Sequence, residues 1–333
     1  MRLLVTGGAG FIGSAYVRAR VEGHPDDTVR VLDKLTYAGR PENLDDLPDG
    51  RVELVEGDIA DRDAVAGALE GCDAIVNFAA ESHVDRSIES PGEFIQTDVF
   101  GAFVLLEAAR AAGIRHLQVS TDEVYGSIES GSFTESSPIE PSSPYSASKA
   151  GGDLIVGAYH STYGADALIA RGSNNYGPRQ HPEKLIPLCV LNALAGDPLP
   201  VYGDGMQVRN WIFVEDFCAG IDLALERGAA GQAYNFGGPD ELPNIEVVKT
   251  ILDLTGRDES LIEYVTDRPG HDRRYSLGSE KAHELGWKAA VGFEEGLRRA
   301  VEWYRDNEWW WRPIRDGDYR EYYERQYGRA LGG

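Results

Sequence analysis

The chain has 333 residues, 42% of them hydrophobic, and 32 Lys and Arg against 55 Asp and Glu give it a net charge of −23. This length supports one large domain and a smaller one, and so acidic a surface repels nucleic acid and anionic lipid, so we predict neither as a partner. We also expect no membrane helix, no signal peptide and a cytoplasmic location, because no stretch reaches roughly 18 apolar residues and glycines interrupt the start. Three scattered cysteines and seven histidines without ligand spacing predict free thiols and no metal site.

Short apolar runs alternate with amphipathic stretches through the first half of the chain. This alternation predicts an α/β protein with a parallel sheet and helices on both of its faces. The predicted strands lie at residues 3–7, 29–33, 52–58, 74–80 and 117–121. After residue 175, turn-rich pieces break up short helices. We therefore predict domains over residues 1–175 and 176–333, with some of the second part crossing back to the first.

A glycine-rich segment, TGGAGFIG at residues 6–13, follows the first predicted strand. Gly7, Gly10 and Gly13 suit a tight strand-to-helix turn that brings backbone N–H groups against a pyrophosphate, where a Cβ would block the approach. Asp33 ends the second strand, 20 residues after Gly13. A carboxylate there accepts hydrogen bonds from a ribose and repels a 2′-phosphate, which favours NAD over NADP. The pattern predicts a Rossmann-type doubly wound sheet, and the alternative for Asp33 is a solvated residue before a loop.

Residues 144–149 read PYSASK and place Tyr145 and Lys149 four positions apart, on one face of a predicted helix. A phenol has a pKa of about 10, and a nearby ammonium lowers it, so the pair predicts a tyrosine base. The alternative is an exposed surface pair. With the glycine turn, this pair makes the chain resemble the extended short-chain dehydrogenase/reductases. The resemblance implies NAD bound by residues 1–175 and a nucleotide sugar bound mainly by a smaller α/β C-terminal region.

Two adjacent acids, Asp122 and Glu123, follow Thr121 at the end of the fifth predicted strand. Oxidation or epimerisation at sugar C4 does not need them. An elimination does, because a base must remove the C5 proton beside a C4 ketone and an acid must protonate the departing C6 hydroxyl. The pair therefore predicts dehydration across C5–C6 as well as oxidation. The alternative is that both acids only cap the following turn.

The segment STDEVYG at residues 120–126 resembles the dTDP-glucose 4,6-dehydratase family, and the likeness extends along nearly the whole chain. Further segments that carry it are AAESHVDRSI (79–88), NNYGP (174–178), HPEKLIPL (181–188), LPVYGDG (199–205), VRNW (208–211) and DRPGHDRRY (267–275). The resemblance implies that Tyr145 takes the C4 hydroxyl proton while NAD⁺ takes the C4 hydride, with Lys149 tuning Tyr145. It also implies that Thr121 binds the C4 oxygen, Glu123 removes the C5 proton and Asp122 protonates the C6 hydroxyl. The hydride then returns to C6, giving a 4-keto-6-deoxy sugar nucleotide.

The same resemblance implies the binding residues. The cofactor residues are Gly7, Gly10, Phe11, Ile12, Gly13, Asp33, Lys34, Asp58, Ile59, Ala80, Thr97, Tyr145, Lys149 and Asn175. The substrate residues are Ser82, Thr121, Asn174, Lys184, Leu185, Pro200, Tyr202, Arg209, Asn244, Arg268 and His271. Arg209 and Arg268 are expected to clamp the pyrophosphate, because guanidinium groups bind phosphate oxygens in pairs. The sequence departs from the family pattern at Asp98, Asn210 and Phe217, where Asn, Asp and His are expected.

Two helical stretches at residues 93–113 and 143–164 carry more apolar surface than one sheet face requires. They predict a homodimer through a four-helix bundle, unless both faces are buried within the monomer. Three other functions compete with the dehydratase: an NAD-dependent UDP-sugar C4 epimerase, a GDP-mannose 4,6-dehydratase, and a non-catalytic NAD-binding sensor or scaffold. The acid pair opposes the first, Asp33 opposes the second, and the intact Tyr145 and Lys149 oppose the third.

Overall fold

The computed structural model describes residues 1–267, 270–317, 323 and 327–328. The first half alternates strands and helices: β1 (Arg2–Thr6), α1 (Phe11–Gly23), β2 (Thr28–Asp33), β3 (Val52–Glu56), α2 (Arg62–Leu69), β4 (Ala74–Asn77), α3 (Val84–Glu89), α4 (Pro91–Phe94), α5 (Ala102–Ala112), β5 (Arg115–Thr121), α6 (Pro144–Tyr163) and β6 (Ala167–Gly172). A π-helical stretch, Ile95–Gly101, joins α4 to α5.

The second half is more irregular. Its elements are β7 (Asn174–Tyr176), α7 (Leu185–Ala195), β8 (Leu199–Tyr202), β9 (Val208–Phe213), α8 (Val214–Arg227), β10 (Ala233–Phe236), β11 (Asp240–Pro243), α9 (Asn244–Thr255), β12 (Ile262–Val265), α10 (Glu280–Glu284), α11 (Phe293–Asp306) and α12 (Glu308–Asp316). Among the helices of the described residues, none is both long and apolar enough to span a bilayer.

A seven-stranded sheet in the order β10-β6-β5-β4-β1-β2-β3 forms the centre of the molecule, and every neighbouring pair in it is parallel. The predicted Rossmann-type doubly wound sheet is therefore confirmed. Strands β3 and β4 end two and three residues earlier than predicted, at Glu56 and Asn77, because the chain turns away there toward a cavity. Two strands of the sheet, β6 and β10, were not predicted.

Helices cover both faces of this sheet. Leu3 and Val5 of β1 pack in one apolar cluster with Tyr16 of α1 and Phe217 of α8. Leu4 points the other way and packs with residues of α2 and α5. This alternation explains why the strand is apolar throughout: both faces of a parallel sheet are buried. Helix α8 and strand β10 come from the second half of the chain, so that half contributes to the central sheet and its cover.

A second apolar cluster lies in the C-terminal part. Helices α7, α9 and α11 pack there against small sheets of the orders β11-β9-β7 and β12-β8. Helix α7 is buried along most of its length, which accounts for its apolar sequence. The two predicted domain ranges stay a prediction.

Candidate active site

A cavity of about 300 Å³ lies at the carboxyl ends of the central strands. All the residues predicted to bind the cofactor line it, from the glycine turn after β1 to Asn175 in β7. The catalytic candidates Thr121, Asp122 and Glu123 line the same cavity, as do Tyr145 and Lys149. Ligands of doubly wound sheets bind in this position, at the carboxyl ends of the strands.

The glycine turn leaves room for a ligand group against the backbone. Gly7 has a φ of +68°, and a Cβ on it would lie 2.5 Å from the backbone N of Ala79. A Cβ on Gly13 would lie 2.2 Å from the carbonyl oxygen of Gly7. Helix α1 begins directly after Gly10, and no side chain caps it. Its first N–H groups are therefore available to an anion, as a pyrophosphate requires.

Asp33 lies beside this turn at the end of β2. Its Oδ2 accepts a hydrogen bond from the Ala9 N–H at 2.9 Å, and its Oδ1 accepts one from the Leu35 N–H at 2.9 Å. Burial raises the pKa of Asp33, and these two hydrogen bonds oppose the rise. A carboxylate has about four acceptor positions, so two remain for the hydroxyls of a ribose. Next to it, Lys34 forms an ion pair with Asp58 at 2.8 Å.

The tyrosine and lysine candidates lie on the first two turns of α6. Ser143 caps this helix through a capping box with Ser146. Lys149 is buried, and its Nζ donates to the Val119 carbonyl oxygen at 3.0 Å. The pKa of Tyr145 is raised by burial, then by the charges of Glu123 and Asp98, against a hydrogen bond with Thr121. In the protein alone the pKa of Tyr145 is therefore raised, because burial and the nearby carboxylates dominate it. A lowering of this pKa by Lys149 stays a prediction.

The acid pair lies on a turn of 3₁₀ helix, Asp122–Tyr125, directly after β5. Thr121 caps this turn, because its Oγ1 accepts a hydrogen bond from the Glu123 N–H at 3.2 Å. The cap of this turn is therefore the Thr121 hydroxyl and not one of the two carboxyls. Asp122 is 1% exposed, and burial together with the charge of Glu123 raises its pKa to about 8, although Arg209 opposes the rise. Its Oδ2 has no hydrogen-bond partner among the described residues. At neutral pH the pair thus offers a protonated acid at Asp122.

The predicted substrate residues divide into two groups. Ser82, Thr121, Asn174 and Lys184 line the main cavity, and the Lys184 Nζ donates to the Ser82 carbonyl oxygen. The cavity lining does not include Leu185, Pro200, Tyr202, Arg209, Asn244 or His271. Arg268 lies outside the described residues.

Two residues of the second group are held by contacts with distant parts of the chain. Arg209 is buried in β9, donates to the Asp272 carbonyl oxygen at 3.0 Å, and lies 4.2 Å from the centre of the Tyr275 ring. Tyr202 donates from its hydroxyl to Asp85 at 3.2 Å. The effect of Arg209 on the pKa of Asp122 places its charge near the acid pair.

Comparison with known proteins identifies the family. The family model described as GDP-mannose 4,6 dehydratase matches residues 4–300. A dTDP-glucose 4,6-dehydratase of Mycobacterium tuberculosis (strain ATCC 25618 / H37Rv) is 49% identical over 330 residues, which cover 98% of this chain and 99% of the relative. The chain belongs to the dTDP-glucose 4,6-dehydratase family. The resemblance found in the sequence is therefore confirmed.

Solved structures agree with this family. The crystal structure of DesIV, a dTDP-glucose 4,6-dehydratase from Streptomyces venezuelae with NAD bound, has 56% identity and a TM-score of 0.92, covering 94% of this chain and 100% of that one. A UDP-glucose 4-epimerase of Thermus thermophilus in complex with NAD has 32% identity and a TM-score of 0.86, covering 92% and 100%. The fold is thus shared by dehydratases and epimerases, and the identity is higher with the dehydratase.

Glu183 and Trp310 are among the cavity residues that the sequence did not predict. Glu183 accepts hydrogen bonds from the Tyr37 hydroxyl at 3.0 Å and from the Arg86 Nε at 3.2 Å. Burial opposes its ionisation, but the surrounding histidines and basic side chains outweigh burial and lower its pKa to about 2. Trp310 of α12 lines the cavity and donates to the Asn43 Oδ1 at 2.7 Å. A glutamate inside the segment HPEKLIPL was the available signal for the first, and an aromatic C-terminal segment for the second.

Proposed function

We propose that the chain is an NAD-dependent dTDP-glucose 4,6-dehydratase, a hydro-lyase that forms dTDP-4-keto-6-deoxyglucose. The observation that carries the proposal is the acid pair Asp122–Glu123, which faces the same cavity as Tyr145 and Lys149. The glycine turn and Asp33 fit NAD, because a Cβ would fill the turn and the carboxylate retains acceptor positions. When bound, NAD accepts the hydride of the sugar C4 and later supplies it to C6.

The oxidation step needs a base at the C4 hydroxyl. Tyr145 takes this proton, and Thr121, which shares a hydrogen bond with Tyr145, orients the C4 oxygen. Lys149 is fixed on the Val119 carbonyl oxygen one helical turn after Tyr145. In this proposal the Lys149 ammonium favours the phenolate of Tyr145 once the proton leaves.

The elimination step needs a base and an acid on the two sides of the C5–C6 bond. Glu123 removes the C5 proton, which the C4 ketone makes acidic. Asp122 donates its proton to the C6 hydroxyl, which leaves as water, so one proton is taken and one is given. The raised pKa of Asp122 keeps this carboxyl protonated below about pH 8, because burial and the Glu123 charge disfavour its ionisation. Two adjacent carboxyls do not both ionise easily, because their charges repel. One can therefore act as the base while the other keeps its proton and acts as the acid.

Turnover of dTDP-glucose by the purified chain, without added NAD, tests the function. Mass spectrometry of the product should show the loss of one water, and substrate deuterated at C4 should give product with deuterium at C6. The matched control is Asp122→Asn, which should retain the oxidation and lose the elimination. A C4 epimer of unchanged mass would replace the dehydratase with the epimerase. Absence of any reaction with dTDP-, UDP- and GDP-hexoses, even with NAD, would favour a non-catalytic NAD-binding protein.

We also propose a homodimer through a four-helix bundle of residues 93–113 and 143–164. Large apolar side chains on these helices are exposed in the single chain, among them Ile95, Phe100 and Leu154, the last at 61%. Leu154→Glu should convert a dimer to a monomer in light scattering. Leu254→Glu, at an exposed leucine of α9, is the matched control and should leave the mass unchanged. A monomeric parent chain would exclude the dimer. The cytoplasmic location stays a prediction.

A further inference from the structure

A buried carboxyl that the proposed mechanism does not use lies behind the tyrosine–lysine pair. Asp98, in the π-helical stretch between α4 and α5, is 3% exposed. Its Oδ1 accepts a hydrogen bond from the Glu81 N–H at 3.1 Å, and its Oδ2 accepts one from the Ser148 hydroxyl at 2.6 Å. The carboxyl thus connects the segment after β4 to helix α6, where Tyr145 and Lys149 lie.

Ser148 has two possible acceptors for its single proton. Its Oγ lies 2.6 Å from the Asp98 Oδ2 and 2.8 Å from the Tyr145 carbonyl oxygen. A hydroxyl donates one hydrogen bond and accepts up to two. When Asp98 is ionised, the charge draws the Ser148 proton to Oδ2, because hydrogen bonds to ionised acceptors are the stronger ones. When Asp98 is protonated, its own hydroxyl can donate to Ser148, and the Ser148 proton is then directed to the Tyr145 carbonyl.

We propose that Asp98 is a positioning residue for the Tyr145–Lys149 pair, because its ionisation reverses the hydrogen bond with Ser148 and changes the charge facing the phenol. The proposal rests on the proposed function, since it assigns Tyr145 the role of base. It goes beyond that function because Asp98, which does not touch the reacting atoms, would influence the protonation state of the pair.

The charged groups that face Asp98 support this role. Glu81 faces it from the segment after β4, and Tyr145 and Lys149 face it from α6. Ionised Asp98 raises the pKa of Tyr145, so it opposes formation of the phenolate. Burial raises the pKa of Asp98 itself to about 6, against the charge of Lys149 and the two hydrogen bonds. The state of this carboxyl therefore changes at slightly acidic pH.

Asp98→Asn is the decisive variant because it matches the protonated carboxyl. The amide oxygen can accept from the Glu81 N–H, and the amide NH₂ can donate to Ser148. In the parent chain, the pH profile of kcat/KM should show an inflection at about pH 6 besides the limb of the tyrosine base. In Asp98→Asn this inflection should vanish, and the limb of the base should move to lower pH by roughly one pH unit, because a nearby negative charge is gone.

A second variant separates the hydrogen bond from the charge. Ser148→Ala removes the hydroxyl and keeps the carboxyl. Because the Ser148 hydrogen bond lowers the pKa of Asp98, this variant should move the inflection to higher pH. Glu81→Gln should keep the inflection and move it only toward lower pH, because the charges of Glu81 and Asp98 repel each other. If the inflection vanishes in Glu81→Gln and persists in Asp98→Asn, it belongs to Glu81 and the proposal is wrong.

A measurement without turnover distinguishes failure of this proposal from failure of the proposed function. Infrared difference spectra between the parent chain and Asp98→Asn should contain the C=O stretch of a protonated carboxyl at pH 5 and lose it at pH 8. If the spectra show this titration but no sugar nucleotide is turned over, the function fails and the titration of Asp98 stands. A carboxyl band that does not titrate, or identical pH profiles with equal stability, would reduce Asp98 to a structural anchor and overturn the proposal.

Discussion

The two ends of the proposed site differ in how the fold assembles them. The cofactor end, made of Gly7, Gly13 and Asp33, stands at the carboxyl ends of neighbouring parallel strands. The sugar end, to which our proposal assigns Arg209, Asn244 and His271, would draw on a strand, a helix and a loop of the C-terminal part. Topology alone brings the first set together. The second set depends on individual bonds, such as the one from Arg209 to the Asp272 carbonyl oxygen, 63 residues away. Substitutions should therefore act differently at the two ends.

The largest effect is expected where the two ends meet, at the acid pair. Asp122→Asn and Glu123→Gln should each lower kcat for dehydration by roughly 10²–10⁴-fold, the usual size of a general acid or base contribution. In deuterated water, Asp122→Asn should still exchange the C5 hydrogen of the 4-keto sugar without losing water. Glu123→Gln should not exchange it.

This difference in exchange tests the two assignments separately. If Glu123→Gln exchanges C5 and Asp122→Asn does not, the roles of acid and base are reversed. For the parent chain, kcat should fall as the pH rises through about 8, because Asp122 then loses the proton that it must donate. A profile that stays flat there would contradict Asp122 as the acid.

The next largest effect is expected from Gly13→Ala at the cofactor end. Its Cβ would lie 2.2 Å from the Gly7 carbonyl oxygen, so the backbone of the turn must shift. Overpacking of this kind costs about 1–3 kcal/mol, which should weaken NAD binding roughly 5- to 150-fold. Fluorescence titration with NAD measures the change. Gly23→Ala, where a Cβ meets nothing within 4 Å, is the matched control and should bind NAD as the parent does.

A smaller effect is expected from Arg209→Lys at the sugar end. Lysine keeps the charge but loses the planar fork that bonds two carbonyl oxygens and stacks on Tyr275. The KM for the sugar nucleotide should rise about tenfold, the loss of one charge-assisted hydrogen bond, while NAD affinity stays unchanged. Equal losses in both affinities would show that Arg209 supports the fold as a whole and not the sugar end.

The sequence predicted the cofactor end better than the sugar end, because adjacent residues encode the first and contacts between distant residues form the second. The glycine turn and Asp33 were found because strand endings and local turns are encoded by adjacent residues. Tyr145 and Lys149 were found for the same reason, because they lie four residues apart on one helix. The direction in which the Tyr145 pKa shifts could not be predicted in this way, because it depends on burial and on carboxylates from the turn after β5 and from the π-helical stretch. Strand β10 was missed because a run of four residues is too short to identify by periodicity, and its place depends on pairing with β6 and on burial of Tyr234 and Phe236.

The last effect concerns stability and not catalysis, and it is expected at Glu183 in the cavity lining. Glu183 lies in the segment that leads into α7. It accepts hydrogen bonds from Tyr37, just after β2, and from Arg86 of α3. Glu183→Gln retains one acceptor and loses the charge, so the free energy of unfolding at pH 7 should fall by up to about 3 kcal/mol, because each unit by which the pKa is lowered corresponds to about 1.4 kcal/mol. The folded pKa of about 2 lies below the usual 4.5, so the ionised carboxylate stabilises the fold above about pH 4.5. The difference in the free energy of unfolding between the parent and the variant should therefore shrink as the pH falls from 4.5 toward 2. Urea denaturation at a series of pH values measures it.

Glu53→Gln, at an exposed ion pair with Arg30, is the control and should change the stability little at any pH. A constant difference between the parent and Glu183→Gln down to pH 2 would mean that Glu183 acts through packing and that its charge does not hold Tyr37 and Arg86 in place.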